Sequence, residues 1–197
     1  MTDFTEQELA FFKQVFADQS VNNPNLTGAV LSLRSELPGY AANLFDSLNL
    51  CMLAEIGRFE LWFPLTLGLT TDGDLQPKLD APEIFDAQGQ HRSWRNDDPS
   101  DCFLEVSRTR IPLLSLSSTG TVIDGSRFKE LPQYGKATLR LGMYTPIKIE
   151  FDQIRQQNHA IALYIKVNHN KSALRRYLFE CHKKAFANVY QQLTSQG

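Results

Sequence analysis

Two clusters of side chains in this chain have types and spacing that could do chemistry. His91-Arg92-Ser93-Trp94-Arg95 sets two guanidiniums around an indole, and Ser115-Leu116-Ser117-Ser118-Thr119-Gly120 sets hydroxyls and a glycine between the apolar runs of 111–114 and 121–123. An arginine fork binds phosphate bidentately and also stacks flat on a purine ring, so the first cluster suits a nucleotide better than lysines would. The same residues also read as a surface ion-pair region facing Asp97 and Asp98, with Trp94 in the core. The second cluster reads either as a plain turn, with hydroxyls capping backbone groups and glycine supplying a positive φ, or as a rim that holds a ligand. Arg95 precedes Ser115 by twenty residues. That is enough for a loop and a strand to return and bring the two clusters to one edge.

Other chemistry is poorly represented. There is no GxSxG elbow, no phosphate loop ending in Gly-Lys-Ser/Thr, no GxGxxG after a strand and no HExxH. His91, His159, His169 and His182 each stand alone beside a different element and read as surface or locally hydrogen-bonded residues. Asp97, Asp98, Asp101 and Glu105 read as a solvated acidic turn. Cys51, Cys102 and Cys181 form neither a CxxC nor a Cys/His pair at zinc-ligand spacing, so free, buried thiols are expected. The reading is a protein that catalyses nothing and carries no cofactor or metal.

Twenty basic residues nearly balance 22 acidic ones, which leaves no global field to gather nucleic acid polymers or an anionic bilayer. Any anion must be held by a local cluster. The start, MTDFTEQELAFF, has no basic leader, and no apolar run approaches the ~20 residues that span a bilayer. A cytoplasmic protein is expected. With 197 residues, 42% of them hydrophobic, the chain can bury roughly 70% of its unfolded surface, enough for one ordinary core.

The elements that must position the clusters follow from periodicity. Thr5 and Glu8 form a capping box ahead of Leu9, Phe12, Val15 and Phe16, which predicts a first helix ending near Ser20. A loop over 21–25 follows; 26–33 fits strand and helix equally. Leu44, Leu48, Cys51, Met52 and Ile56 recur at helical spacing and predict a second helix over 40–56, ending near Gly57. From Phe59 the period changes to strand spacing, with candidates at 59–69, 83–86, 102–108, 111–123, 137–141, 147–152 and 160–167. After Ser172 as a helix cap, Leu174, Leu178, Cys181, Ala185 and Val189 mark the apolar stripe of a terminal helix, with Arg175, Arg176, Lys183 and Lys184 on its polar face. That stripe packs on its own barrel or on a second copy of the chain. The fold class is α+β: an N-terminal helical region over 1–57, then over 58–197 an antiparallel barrel of six to seven strands with a C-terminal helix.

The Arg-rich loop, the Ser115-x-Ser117-x-x-Gly120 rim twenty residues on, and a closing helix reading LRRYLFECHKK together resemble the PilZ family of bacterial cyclic di-GMP receptors, over about 59–190. The family pattern is Arg-x-x-x-Arg, then Asp/Asn-x-Ser/Ala-x-x-Gly at a strand end. The resemblance implies that Arg92 and Arg95 clamp the phosphates and stack on the guanines, that Ser115 and Ser117 read a base, and that Gly120 lets the backbone come close. It also implies signalling through contacts with a protein partner. Two departures bear on this. The arginines are one residue too close, and serine at position 115 lacks the carboxylate that would accept both donors of a guanine edge, worth roughly 1.5–3 kcal/mol. They favour an alternative, a degenerate adaptor that works by protein contacts alone. Arg108 and Arg110 are candidates to replace a missing arginine, although strand alternation places them outward in solvent.

Overall fold

The computed structural model describes residues 30–34, 38–39, 50–69, 75–88, 90–127 and 131–190. The predicted first helix, the loop over 21–25 and most of the predicted second helix lie outside these residues. The described strands fall into two sheets. The first runs β1 (Val30–Arg34), β2 (Cys51–Ile56), β3 (Phe59–Leu69), β5 (Glu83–Asp86) and β6 (Arg92–Ser93), with β4 (Leu75–Leu79) paired to the far end of β3. The second contains β7 (Asn96–Asp97), β8 (Cys102–Val106), β9 (Thr109–Leu116), β10 (Gly120–Asp124), β11 (Tyr134–Leu141), β12 (Ile147–Gln157) and β13 (Ala160–Val167). Its order is β10-β13-β12-β11-β8-β9, and β9 pairs back with β10, so six antiparallel strands close into a barrel. β7 lies outside the barrel, paired to β9. The architecture is the α+β barrel with a C-terminal helix that the sequence implies.

Alternation fills the barrel. Ile161, Leu163, Ile165 and Val167 of β13 point inward, as do Ile147, Ile149 and Phe151 of β12, Leu139 and Leu141 of β11, Leu104 of β8 and Ile111 of β9. Outward positions face solvent whether polar or apolar: Arg110 is exposed on β9, as are Ile154 of β12 and Tyr164 of β13, and Arg108 is exposed in the β8–β9 turn. Tight turns fix the register. The β8–β9 hairpin closes through Ser107 and Arg108, both at positive φ, which matches the right-handed twist of the flanking strands. Gly57, at φ +59°, does the corresponding work between β2 and β3.

Three expectations change. Cys51–Ile56 is strand, not the end of a helix. Five of its six residues are buried, on both faces of the strand, and a continuous apolar run buried on both faces loses the period of two that marks a half-buried strand. The candidate strand over 111–123 is two strands, broken between Leu116 and Gly120 by the hydroxyl-rich turn. The terminal helix α1 (Lys171–Ala185) is capped by Asn170 in the left-handed conformation rather than by Ser172, whose hydroxyl lies inside the helix and donates to Asp80 Oδ1 at 2.6 Å.

α1 lies over the barrel and touches the first sheet. Leu174, Tyr177 and Leu178 extend the barrel core, while Phe179 and Phe186 pack on the smaller cluster around Phe59, Leu61 and Ile84. Ala185 is exposed and drops out of the predicted stripe, and Arg175, assigned to the polar face, is buried and paired with Asp80. His182 is 1% exposed, its Nδ1 2.8 Å from the Tyr190 hydroxyl and its ring edge-on to Phe59 and Trp94. Burial lowers its pKa to about 4, with the charge of Arg58 adding to the effect. Trp94 packs against both clusters and is the seam between the two sheets.

Candidate functional site

The chain crosses from one sheet to the other between Arg92 and Asn96, and this separates the two arginines. β6 pairs with β5, Asp86 opposite Arg92, so Arg92 belongs to the first sheet; its exposed guanidinium donates to Gln90 Oε1 at 2.6 Å. β7 pairs with the end of β9, Asp97 opposite Ser115, and this ladder lays the neighbouring Arg95 across the rim of the barrel. Arg95 Nη1 donates to Ser115 Oγ at 2.7 Å. The structure therefore brings Arg95, Ser115, Ser117 and Gly120 together. Arg92 instead bonds to Gln90, two residues before it in the chain.

The turn is built by its own side chains. Ser117 Oγ donates to the Gly120 carbonyl at 3.0 Å and accepts from the Gly120 N–H at 3.1 Å, and Ser117 N–H donates to the same carbonyl at 2.8 Å. Thr121 Oγ1 donates to the Ser115 carbonyl at 2.7 Å. These hydroxyls take the place of ladder bonds that the strand break leaves unmade, the local role expected of serine and threonine at turns. Gly120 has no positive φ. Its requirement is close approach: a Cβ there would sit 3.0 Å from the Leu163 carbonyl oxygen of β13 and 3.6 Å from Arg95 Nη2. Loss of water around the guanidinium lowers the pKa of Arg95 from the ordinary arginine value, while the charge of Asp97 acts to raise it.

The other flank of the turn borders a cavity of about 220 Å³, lined by residues including Ser118 and Thr119 of the turn, Lys171 of α1 and Glu83 of β5. Glu83 is 5% exposed. Burial raises its pKa, opposed by the charge of Arg175, the nearby Ser118 hydroxyl and the charge of Lys171. Nearby, Asp80 accepts from Ser172, from the Ala81 N–H at 2.8 Å and from Arg175. Burial acts to raise the Asp80 pKa, but these hydrogen bonds outweigh it and hold the carboxyl below its usual range. Neither acid was singled out from sequence; an acidic residue at the head of a short apolar strand carries no local mark of what it will face. Among the described residues no group of three or more His, Cys, Asp or Glu is placed to hold a metal ion, and no helix is long and apolar enough to cross a membrane.

No protein-family model matches the chain, and no curated protein matches it. Solved structures do. The structure of YcgR in complex with c-di-GMP from Escherichia coli is 14% identical, with 96% of this chain and 99% of that one covered at a TM-score of 0.38. The MrkH–c-di-GMP complex from K. pneumonia is 15% identical, covering 93% of this chain and 97% of that one at a TM-score of 0.41. An uncharacterized protein from Legionella is 15% identical and covers 48% of this chain and 98% of its own at 0.38. Identities and scores this low leave the site to be argued from the residues of this chain.

Proposed function

We propose that this protein is a cyclic di-GMP receptor of the PilZ type, binding the nucleotide at the barrel rim and passing the signal to a protein partner. The observation that carries the reading is the 2.7 Å hydrogen bond from Arg95 to Ser115, which joins an arginine to the hydroxyl-rich turn across twenty residues of chain. Cyclic di-GMP is a dianion with two large aromatic faces. One guanidinium plane can offer paired donors to a phosphate and a cation to a ring. The ligand must replace the Arg95–Ser115 bond, which as a hydrogen bond from a charged group is worth about 1.5–3 kcal/mol.

A second reading, an adaptor acting through protein contacts alone, is favoured by one observation: Arg92 stands on β6 of the first sheet, so of the two arginines only Arg95 contacts the turn. Calorimetric titration with cyclic di-GMP separates the two. The receptor gives saturable heat that disappears in Arg95→Ala and survives in Arg92→Ala with affinity reduced less than tenfold. A flat trace on the unmodified protein leaves the adaptor.

A further inference from the structure

The cavity behind the turn carries chemistry that the rim cluster does not use. Its volume of about 220 Å³ far exceeds the ~30 Å³ share of one water and falls below the roughly 300–1,000 Å³ of pockets that hold whole drug-sized ligands. It would take one base of a dinucleotide. The turn is common to both places: Ser117 and Gly120 stand beside Arg95, while Ser118 and Thr119 line the cavity. A ligand held at the rim by Arg95 is thus one turn's width from this opening.

Glu83, a carboxyl 5% exposed, also lines the cavity and comes from the first sheet rather than from the barrel. A buried carboxyl is costly to ionise without donors, and burial raises the pKa of this one; two N–H groups arriving together would favour the ionised, acceptor-only form. We infer that Glu83 accepts the two adjacent N–H groups on the edge of a guanine base seated in this cavity, supplying from the first sheet the carboxylate that position 115 lacks. This inference rests on the receptor reading above. Lys166, Asn168 and Lys171 also line the cavity. A free guanidinium would present the same pair of donors, but two lysines in the lining disfavour a cation and favour a nucleotide. Adenine offers a donor beside an acceptor on that edge, and the acceptor would face the carboxylate.

The test is calorimetry on the full chain with cyclic di-GMP, cyclic di-IMP, cyclic di-AMP and methylguanidinium, on wild type, Arg95→Ala and Glu83→Gln. Hypoxanthine keeps N1–H but lacks the exocyclic amine, so the wild type alone reports on the donor pair. We expect cyclic di-IMP and cyclic di-AMP to bind at least tenfold more weakly than cyclic di-GMP. In Glu83→Gln, cyclic di-GMP weakens by ten- to a hundredfold and the preference over cyclic di-IMP shrinks. Equal binding of cyclic di-GMP and cyclic di-IMP by wild type overturns the Glu83 assignment and leaves the receptor standing. So does an unchanged affinity in Glu83→Gln alongside loss in Arg95→Ala. No heat from wild type with any dinucleotide overturns both, and saturation by methylguanidinium alone identifies the other source of the donor pair.

Discussion

The closed barrel and the first sheet obey the same pairing rules but expose their sequences differently. In β13 the barrel interior takes every second residue, and the outward ones meet water, so the chain alternates as a half-buried strand must. In β2 almost every residue is buried, and no alternation survives. A closed sheet buries only its inner face, whereas β2 is buried on both. The proposed site falls where the two meet, with Arg95 on the barrel side of the seam and Arg92 on the other.

The largest expected effect sharpens this contrast. Leu104, fully buried in the barrel, should cost about 2–5 kcal/mol when changed to Ala, read as a shift in the chemical denaturation midpoint. Leu61, equally buried in the smaller cluster, should cost a similar amount. If Leu61→Ala instead produces a separate early transition and leaves the main one untouched, the two sheets unfold independently.

The seam itself is pH-sensitive. His182 binds its proton at about 4 in the folded protein, against an unfolded value near 6.5, so the unfolded chain takes up the proton first as pH falls. Stability should fall between pH 6.5 and 4 by on the order of 3 kcal/mol from this group, and be fully regained above pH 6.5. His182→Phe should flatten that slope; an unaltered slope would assign the loss to other groups.

Much of the barrel was legible. The strands 59–69, 83–86 and 160–167 have the boundaries that alternation gives them, and the helix over 171–185 follows its apolar spacing. What could not be read is physical in origin. Burial on two faces erased the period in β2. The cap at Asn170 depends on a left-handed backbone, not on the hydroxyl chemistry that singles out Ser172. Arg175 is buried because Asp80, 95 residues away, is there to pair with it, and no local pattern records such a partner. Of the site, the meeting of Arg95 with Ser115 was legible from the length of the intervening loop and strand. The placement of Arg92 was not, because the sheet boundary falls between residues 92 and 96.

A smaller effect probes the link between α1 and the first sheet. Asp80→Ala removes the partner of Arg175 and Ser172, and, with Asp80 partly open to solvent, should cost about 1–3 kcal/mol. A loss no larger than that of a surface substitution would mean that the helix is held by its apolar contacts alone. Smallest of all, Arg110→Ala on the outer barrel face should change stability by no more than about 0.5–1 kcal/mol, the scale of its cation–π contact with Phe103. It should leave ligand binding unchanged; weakened binding would place Arg110 in the clamp.

The account turns on the turn and Arg95 forming one binding edge. Mapping backbone amide chemical shifts during titration of the full chain with cyclic di-GMP tests this most directly. It predicts saturable shifts at Arg95, Ser115, Ser118 and Gly120, with Arg92 moving little. Shifts confined to the outer barrel face, or centred on Arg92 with the turn silent, would contradict it.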